Sequence, residues 1–497
     1  MSRSPRTSRS PAPKATAPDR FPPAERKAAA LVLGAAFMLL ADTSIVNVAI
    51  PSLQRDLGAS VPDVQLVVAG YVVAYAVMLI TSGRLGDLYG RRRMFMIGAV
   101  SFTLASLACG LSQGPGELIA ARVWQGLSAS VLYPQVIATL HLTVAAERRG
   151  RAFALLGAVV SCATIAGPLI AGLLIAADVG GLQWRPIFLI NIPVGAVLIA
   201  LAPRMVPAHK GLRLRLDYAG SLTVVLLLVA LLVPLTVGRD QDWPLWGWLL
   251  LLCVPVLLAV FLRLEAVLER RGRFPLLRPG LWSDPAFRLA LSLYLVYFSA
   301  VVPFFLYFSI TVQYGLGYGA LATAAAMAPY AVGSTATSLR SARIVARFGA
   351  PRTILAGCLL CAAGSAVMIA TVAGNRSGRH FGWIMAPTMV FTGLGLGLVL
   401  GPLLNFVLAR VRADDSGAVS GALSTAQQIG SSLGVALIGL AFFRGFHGEL
   451  TSLDYPALRT DMMLGLAVIV TAFALASALV WLIARRSSAD GGGGPAS

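Results

Sequence analysis

The residues with the most chemistry in this 497-residue chain are a carboxylate and a guanidinium that lie inside apolar runs. Asp42 falls in Ala41-Asp42-Thr43-Ser44-Ile45-Val46-Asn47-Val48-Ala49-Ile50-Pro51, and Arg122 in Ala121-Arg122-Val123-Trp124-Gln125-Gly126-Leu127. If each run crosses a bilayer as a helix, a rise of 1.5 Å per residue sets Asp42 roughly 4 Å and Arg122 roughly 7 Å from the midplane, on the same side. Ionisable groups at that depth are costly and by default functional. Opposite charges at one depth reduce the cost by pairing, and a carboxylate whose partner can move away is able to exchange a proton. Two plainer readings stay open: Asp42 as a static acceptor for Thr43 or a neighbouring helix, and Arg122 as a side chain that reaches the outer surface.

A second constellation is short and basic. Gly83-Arg84-Leu85-Gly86-Asp87-Leu88-Tyr89-Gly90-Arg91-Arg92 joins two apolar runs, and Ala342-Arg343-Ile344-Val345-Ala346-Arg347-Phe348-Gly349 joins two others. Each places an Arg six residues before a Gly, with an aromatic just before that Gly. Repeated halves mark secondary transporters, whose substrates bind between the halves near mid-membrane. In the fifth run Gly157, Gly167, Pro168 and Gly172 permit close helix approach and remove one backbone hydrogen bond. Tyr294, Tyr297 and Phe298 open an aromatic series at helical spacing beside Pro303, suited to stacking planar substrates or equally to packing and anchoring. Asn47, Gln125, Gln313, Asn405 and Gln427 complete the candidates for a substrate pocket.

The elements that must position these groups follow from composition. The chain is 57% hydrophobic and 12% charged, against about a quarter charged in soluble domains, which excludes an ordinary soluble enzyme. Fourteen helical spans are expected: 28–50, 64–83, 94–112, 117–139, 151–176, 186–203, 218–237, 244–262, 289–312, 320–340, 353–373, 381–408, 419–443 and 463–484. The repeat offset leaves two spans over, which predicts a basic disordered tail at 1–27, a six-helix bundle at 28–203, two additional helices with a basic linker at 204–288, a second six-helix bundle at 289–484 and a flexible tail at 485–497.

The net charge of +19 suggests nucleic acid only until its placement is considered. Of the 40 basic residues, seven fall on one face: Arg55, Arg185, Arg239, Arg376, Arg379, Arg444 and Arg459. Apart from Arg122, the rest lie in the tails, the alternate loops and the adjoining span ends. That asymmetry predicts both termini in the cytoplasm and reports orientation rather than a polyanionic partner. The five cysteines lie in apolar runs and are read as buried free thiols, and no metal, cofactor or catalytic residue is expected. His141, His209, His380 and His447 are scattered, so the alternative of a polytopic membrane enzyme lacks a constellation to carry it.

Taken in order, Asp42 to Pro51, the loop from Gly83 to Arg93, Arg122 with Gln125-Gly126, Gly167-Pro168-x-x-x-Gly172, Trp184 to Gly195, and Gly417-Ala418-Val419-Ser420-Gly421 with Gln427 and Gln428 resemble the hallmarks of one group. It is the fourteen-helix drug:proton antiporter family of the major facilitator superfamily, and the resemblance covers residues 28 to 484. It implies an all-α, two-bundle, alternating-access fold in a bacterial cytoplasmic membrane, monomeric, working on small molecules and protons. It further implies proton coupling at Asp42 and Arg122, a cytoplasmic gate at Gly83, Arg84, Asp87, Gly90 and Arg91, and an antiporter helix carrying Gly157, Gly167, Pro168 and Gly172. The expected function is export of amphipathic molecules or drugs; a dedicated exporter of one metabolite on the same fold is the alternative. The second-half loop departs from the pattern by having Ala346 where the first has Asp87.

Overall fold

The computed structural model describes residues 21–208, 217–238, 241, 243–271, 275–409, 411, 416–442 and 455–490. Among them are sixteen α-helices. The first half is built from α1 (Pro23–Leu57), α2 (Val61–Tyr89), α3 (Arg91–Leu111), α4 (Pro115–Thr143), α5 (Ala146–Ala177), a one-turn α6 (Pro186–Leu189) and α7 (Asn191–Met205). Next come α8 (Tyr218–Val237), α9 (Leu245–Arg270) and a short α10 (Pro279–Ser283). The second half contains α11 (Pro285–Ile310), α12 (Ala320–Phe348), α13 (Ala350–Gly374), α14 (Phe381–Leu408), α15 (Ser416–Phe442) and α16 (Tyr455–Asp490).

Eleven helices in the described residues are long and apolar enough to cross a membrane, so the protein is a multi-pass membrane protein. The absence of water in the hydrocarbon region explains why the spans are helices, because each backbone donor and acceptor must be satisfied within its own segment. The three long helices outside that set are α4, α12 and α15. Arg122, Gln125 and Gln135, all buried, lower the apolarity of α4, and serine, threonine and glycine do the same in α15.

Helices α1 to α7 pack on one another, and so do α11 to α16. The halves meet where α2 and α4 touch α15, and where α5 touches α12 and α14. Helix α8 lies against both α2 and α15, with α9 outside it. The additional pair therefore flanks the seam between the halves, and α9 exposes Leu245, Trp248, Leu252 and Val256.

The internal repeat recurs in the backbone. Gly90 lies between α2 and α3 at φ 90°, and Gly349 lies between α12 and α13 at φ 82°. Both positions need a conformation that side chains rarely adopt, which is why each loop ends on glycine.

Several element boundaries differ from expectation. Helix α1 begins at Pro23, inside the expected tail, and α16 runs on to Asp490; good helix formers such as Glu25, Arg26 and Lys27 continue a helix beyond the bilayer. The rest of the two tails lies outside the described residues. The sixth run keeps helical backbone angles through Ile190, so α6 and α7 form one span from Pro186 to Met205 with Asn191 inside it. The expectation that all five thiols are buried is corrected at Cys162 and Cys253, which are exposed on helix faces.

Candidate functional site

Asp42 and Arg122 come together in the first half. Arg122 Nη1 donates to Asp42 Oδ2 over 2.9 Å, and both side chains are fully buried. Two further donors reach the other carboxylate oxygen: Gln125 Nε2 at 3.0 Å and Asn191 Nδ2 at 2.7 Å. Gln125 is held in turn, because its Oε1 accepts from Arg122 Nη1 at 2.6 Å and its Nε2 donates to Ser106 Oγ at 2.7 Å. The guanidinium lies 4.0 Å from the centroid of the Tyr71 ring. Helices α1, α2, α3, α4 and α7 thus converge on a single carboxylate.

Local sequence accounts for the geometry. Arg122 and Gln125 are three apart on α4 and share a face, while Asn191 lies on the first turns of the Pro186–Met205 span. Gly167 brings α5 against Ala41 and Ser44, the turn that carries Asp42, and Pro168 follows it inside the helix. Gly172 has no neighbour at its Cβ position. Gly157 approaches Ser338 on α12, and Ser161 one turn on shares a hydrogen bond with Ser334 across the two halves.

A second cluster joins the halves at one end of the molecule. Asp87 Oδ1 accepts from Arg91 Nη2 at 2.7 Å, and its Oδ2 accepts from the backbone N–H of Ala418 at 3.3 Å near the start of α15. A carboxylate there satisfies an amide that has no partner within its helix and faces the positive end of the helix dipole. Arg84 Nη1 lies 3.8 Å from Asp87 Oδ2, and Arg91 Nη2 also donates to Ser416 Oγ at 2.9 Å. Arg84, Asp87 and Arg91 are all buried. The approach depends on Gly83, whose missing Cβ would collide with the carbonyl of Gly417.

The pocket candidates scatter. Tyr294 and Gln427 line a cavity between the halves together with Tyr133, Leu156, Leu404 and Ser424, and no charged side chain lines it. Tyr294 Oη is buried without a hydrogen-bond partner. Tyr297 and Phe298 instead pack within the second half, where Tyr297 meets Phe473. Gln125 belongs to the Asp42 cluster. Gln313 is exposed and bonds Ser309, Asn405 faces Gly150 on α5, and the side chain of Asn47 lies outside those described. Helical spacing puts residues on one face but does not say what that face meets.

Asn191, Ser106, Tyr71, Ser416 and the amide of Ala418 are participants that sequence reasoning did not assign. For Asn191 and Ser106 a signal existed, since each is a polar residue inside an apolar run. The amide of Ala418 had none, being a backbone group shared by every residue type.

Two helical halves embedded in a membrane, with buried charge in one and a cavity between them, define a secondary transporter. The chain belongs to the Major Facilitator Superfamily, whose family description matches residues 32–435, and it therefore carries a small-molecule substrate and is not an enzyme. It is 34% identical over 92% of its length to a probable actinorhodin transporter of Streptomyces coelicolor, of which it covers 79%. It is also 32% identical over 93% of its length to a puromycin resistance protein of Streptomyces alboniger, of which it covers 92%. Among solved structures, a proton:xylose symporter superposes with a TM-score of 0.63 at 12% identity, covering 92% of this chain and 95% of that one.

Proposed function

We propose that the protein is a proton-coupled antiporter that exports amphipathic small molecules, antibiotics among them, from a bacterial cell by alternating access. In this reading all fourteen long helices span the membrane, both termini are cytoplasmic, the chain works as a monomer, and no cofactor is needed because the proton gradient supplies the energy. The relatives named for actinorhodin transport and puromycin resistance support the substrate class.

The observation that carries the reading is the separation of two sites. The cavity at Tyr294 and Gln427 has room for about one water molecule in this closed arrangement, but its aromatic, aliphatic and uncharged polar lining is the kind that, once opened, suits amphipathic molecules with a few polar atoms. The titratable pair Asp42–Arg122 lies apart from it, inside the first half. Protonation of Asp42 from outside releases Arg122 and repacks the first half; loss of the proton to the cytoplasm restores the pair. Coupling then acts through a change of shape rather than through competition for one spot. Asp87 with Arg84 and Arg91 acts as the cytoplasmic gate, closed here by the contact of α2 with α15.

The test is substrate-dependent proton movement in proteoliposomes of purified protein, with puromycin and a planar aromatic antibiotic as substrates. Substrate-driven proton flux supports the reading, and transport that ignores an imposed proton gradient overturns it. A dedicated exporter of one metabolite remains the second reading, favoured by two relatives that are each named for a single compound. A susceptibility panel in a pump-deficient host separates the two, because a dedicated exporter protects against very few compounds.

A further inference from the structure

Outside both clusters, two carboxyl groups are buried against each other where the additional helices meet the first half. Asp217 precedes α8 and caps it, with Oδ1 accepting from the Gly220 N–H at 2.9 Å. Glu265, on the last turns of α9, is 1% exposed, and its Oε2 accepts from the Leu277 N–H at 2.9 Å. The two side chains lie within hydrogen-bond reach of each other. Their remaining oxygens, Asp217 Oδ2 and Glu265 Oε1, are buried and have no donor among the described residues. They converge on one point, since a Cβ on Gly220 would collide with Asp217 Oδ2 and lie 2.7 Å from Glu265 Oε1.

Two ionised carboxylates cannot hold that arrangement. Like charges at hydrogen-bond distance repel strongly where little water screens them, and each oxygen would stay unsatisfied. A single proton resolves both problems, because a protonated carboxyl donates to the other's free oxygen. Among the described residues, the charged side chains that act on Glu265 are Asp217, just before α8, and Arg84 from α2. Helices α10 and α15, which also pack on this pair of helices, contain no charged residue, and Arg278 and Asp284 flank α10. With one shared proton the acid pair carries one negative charge instead of two beside Arg84. Burial favours the arrangement with the smaller unbalanced charge.

We infer that Asp217 and Glu265 form a proton-binding site on the additional helices, and that its occupancy sets the strength of the α2–α15 contact through Arg84. The proton moves between the carboxyl pair and cytoplasmic water, and no other bond is made or broken. When it leaves, a second negative charge beside Arg84 draws the guanidinium from Asp87 and weakens the contact with the start of α15. Proton loss therefore favours opening at this end, and proton binding favours closure. The coupling step rests on the reading of Asp87 as the cytoplasmic gate; the proton site itself does not.

Two measurements on full-length protein in lipid test the proposal. Infrared spectra recorded across a pH titration should contain a carboxylic-acid C=O band that disappears at high pH, that is lost in both Glu265→Gln and Asp217→Asn, and that persists in Asp42→Asn. Cysteine labelling at the α2–α15 seam should accelerate with rising pH in the wild type and become independent of pH in Glu265→Gln, whose amide mimics the protonated pair. A band that persists in both acid variants overturns the proton site. A band lost while the labelling profile keeps its wild-type pH dependence overturns the coupling to Arg84. Unchanged labelling in Asp87→Asn alongside a lost band instead places the failure in the gate reading.

Discussion

Asp42 and Arg122 are 80 positions apart in the chain and 2.9 Å apart in the fold, each the closest opposite charge the other has. Removing one partner of such a buried pair strands the other, at a cost of roughly 3–5 kcal/mol. Asp42→Asn keeps the shape of the side chain and removes its charge. It is expected to abolish gradient-driven export while leaving substrate binding in place and independent of pH. Binding measured against pH, beside transport under an imposed gradient, checks this; full gradient-driven transport would sink the assignment.

Arg122→Ala should be worse for the fold than Asp42→Asn, since it leaves a buried carboxylate with only Gln125 and Asn191 as donors. Thermal melting of the single variants and of the double variant Asp42→Asn with Arg122→Ala measures the coupling. The double variant is expected to recover part of the stability lost in Arg122→Ala. Strict additivity would argue that the two side chains do not interact.

Asp87→Asn removes the charge that holds Arg84 and Arg91 and weakens the acceptor for the Ala418 N–H. The contact of α2 with α15 should loosen, and labelling from the cytoplasmic side should rise while transport falls. Gly83→Val tests the same contact by sterics alone, because its side chain meets the Gly417 carbonyl. Agreement between a charge variant and a steric variant separates loss of the contact from loss of a proton site.

Tyr294→Phe deletes one hydroxyl from the cavity and leaves its packing intact, and that hydroxyl has no partner among the described residues. If a substrate supplies the partner, affinity for it should fall by about 1 kcal/mol, roughly fivefold. Binding titrations with wild type and variant read this directly. Identical affinities across several substrates would show that the hydroxyl never meets them.

At the opposite end of the molecule, Asp56 accepts from Arg185 Nη1 at 2.6 Å and from Trp184 Nε1 at 3.0 Å. Partial burial pushes its carboxyl up, but these two bonds and the Arg185 charge outweigh it and hold the group below the usual range. A depressed folded-state value means that the contribution is present above the unfolded value, about 3.9, and is lost as pH falls through the folded one. Melting temperature should therefore drop more steeply below about pH 4 in the wild type than in Asp56→Asn. Parallel curves would remove Asp56 from the acid response.

What the sequence determined by itself is the part of this protein that the bilayer dictates. Helical spans with short polar connections follow from apolar run length, because lipid offers the backbone no other partner. The repeat was legible for a related reason: Gly90 and Gly349 occupy a backbone conformation that leaves few residue types to choose from. Asp42 and Arg122 stood out because charge is rare at such depth, and Asp87 because it sits in a repeated loop pattern, so type and position were enough to single them out.

Tertiary structure decided which groups meet. That Asn191 rather than Asn405 reaches the Asp42 cluster, that Gln125 serves the ion pair rather than the cavity, and that Tyr294 faces the cavity while Tyr297 faces Phe473 all depend on the rotation of one helix against another. Glu265 shows this most clearly. Read along the chain it is one polar residue near the end of an apolar run, and only the packing of α9 on α8 sets it against Asp217. Helical periodicity defines a residue's face to within a turn, whereas a hydrogen bond demands a few tenths of an ångström, and that remaining precision comes from side chains packed across the whole bundle.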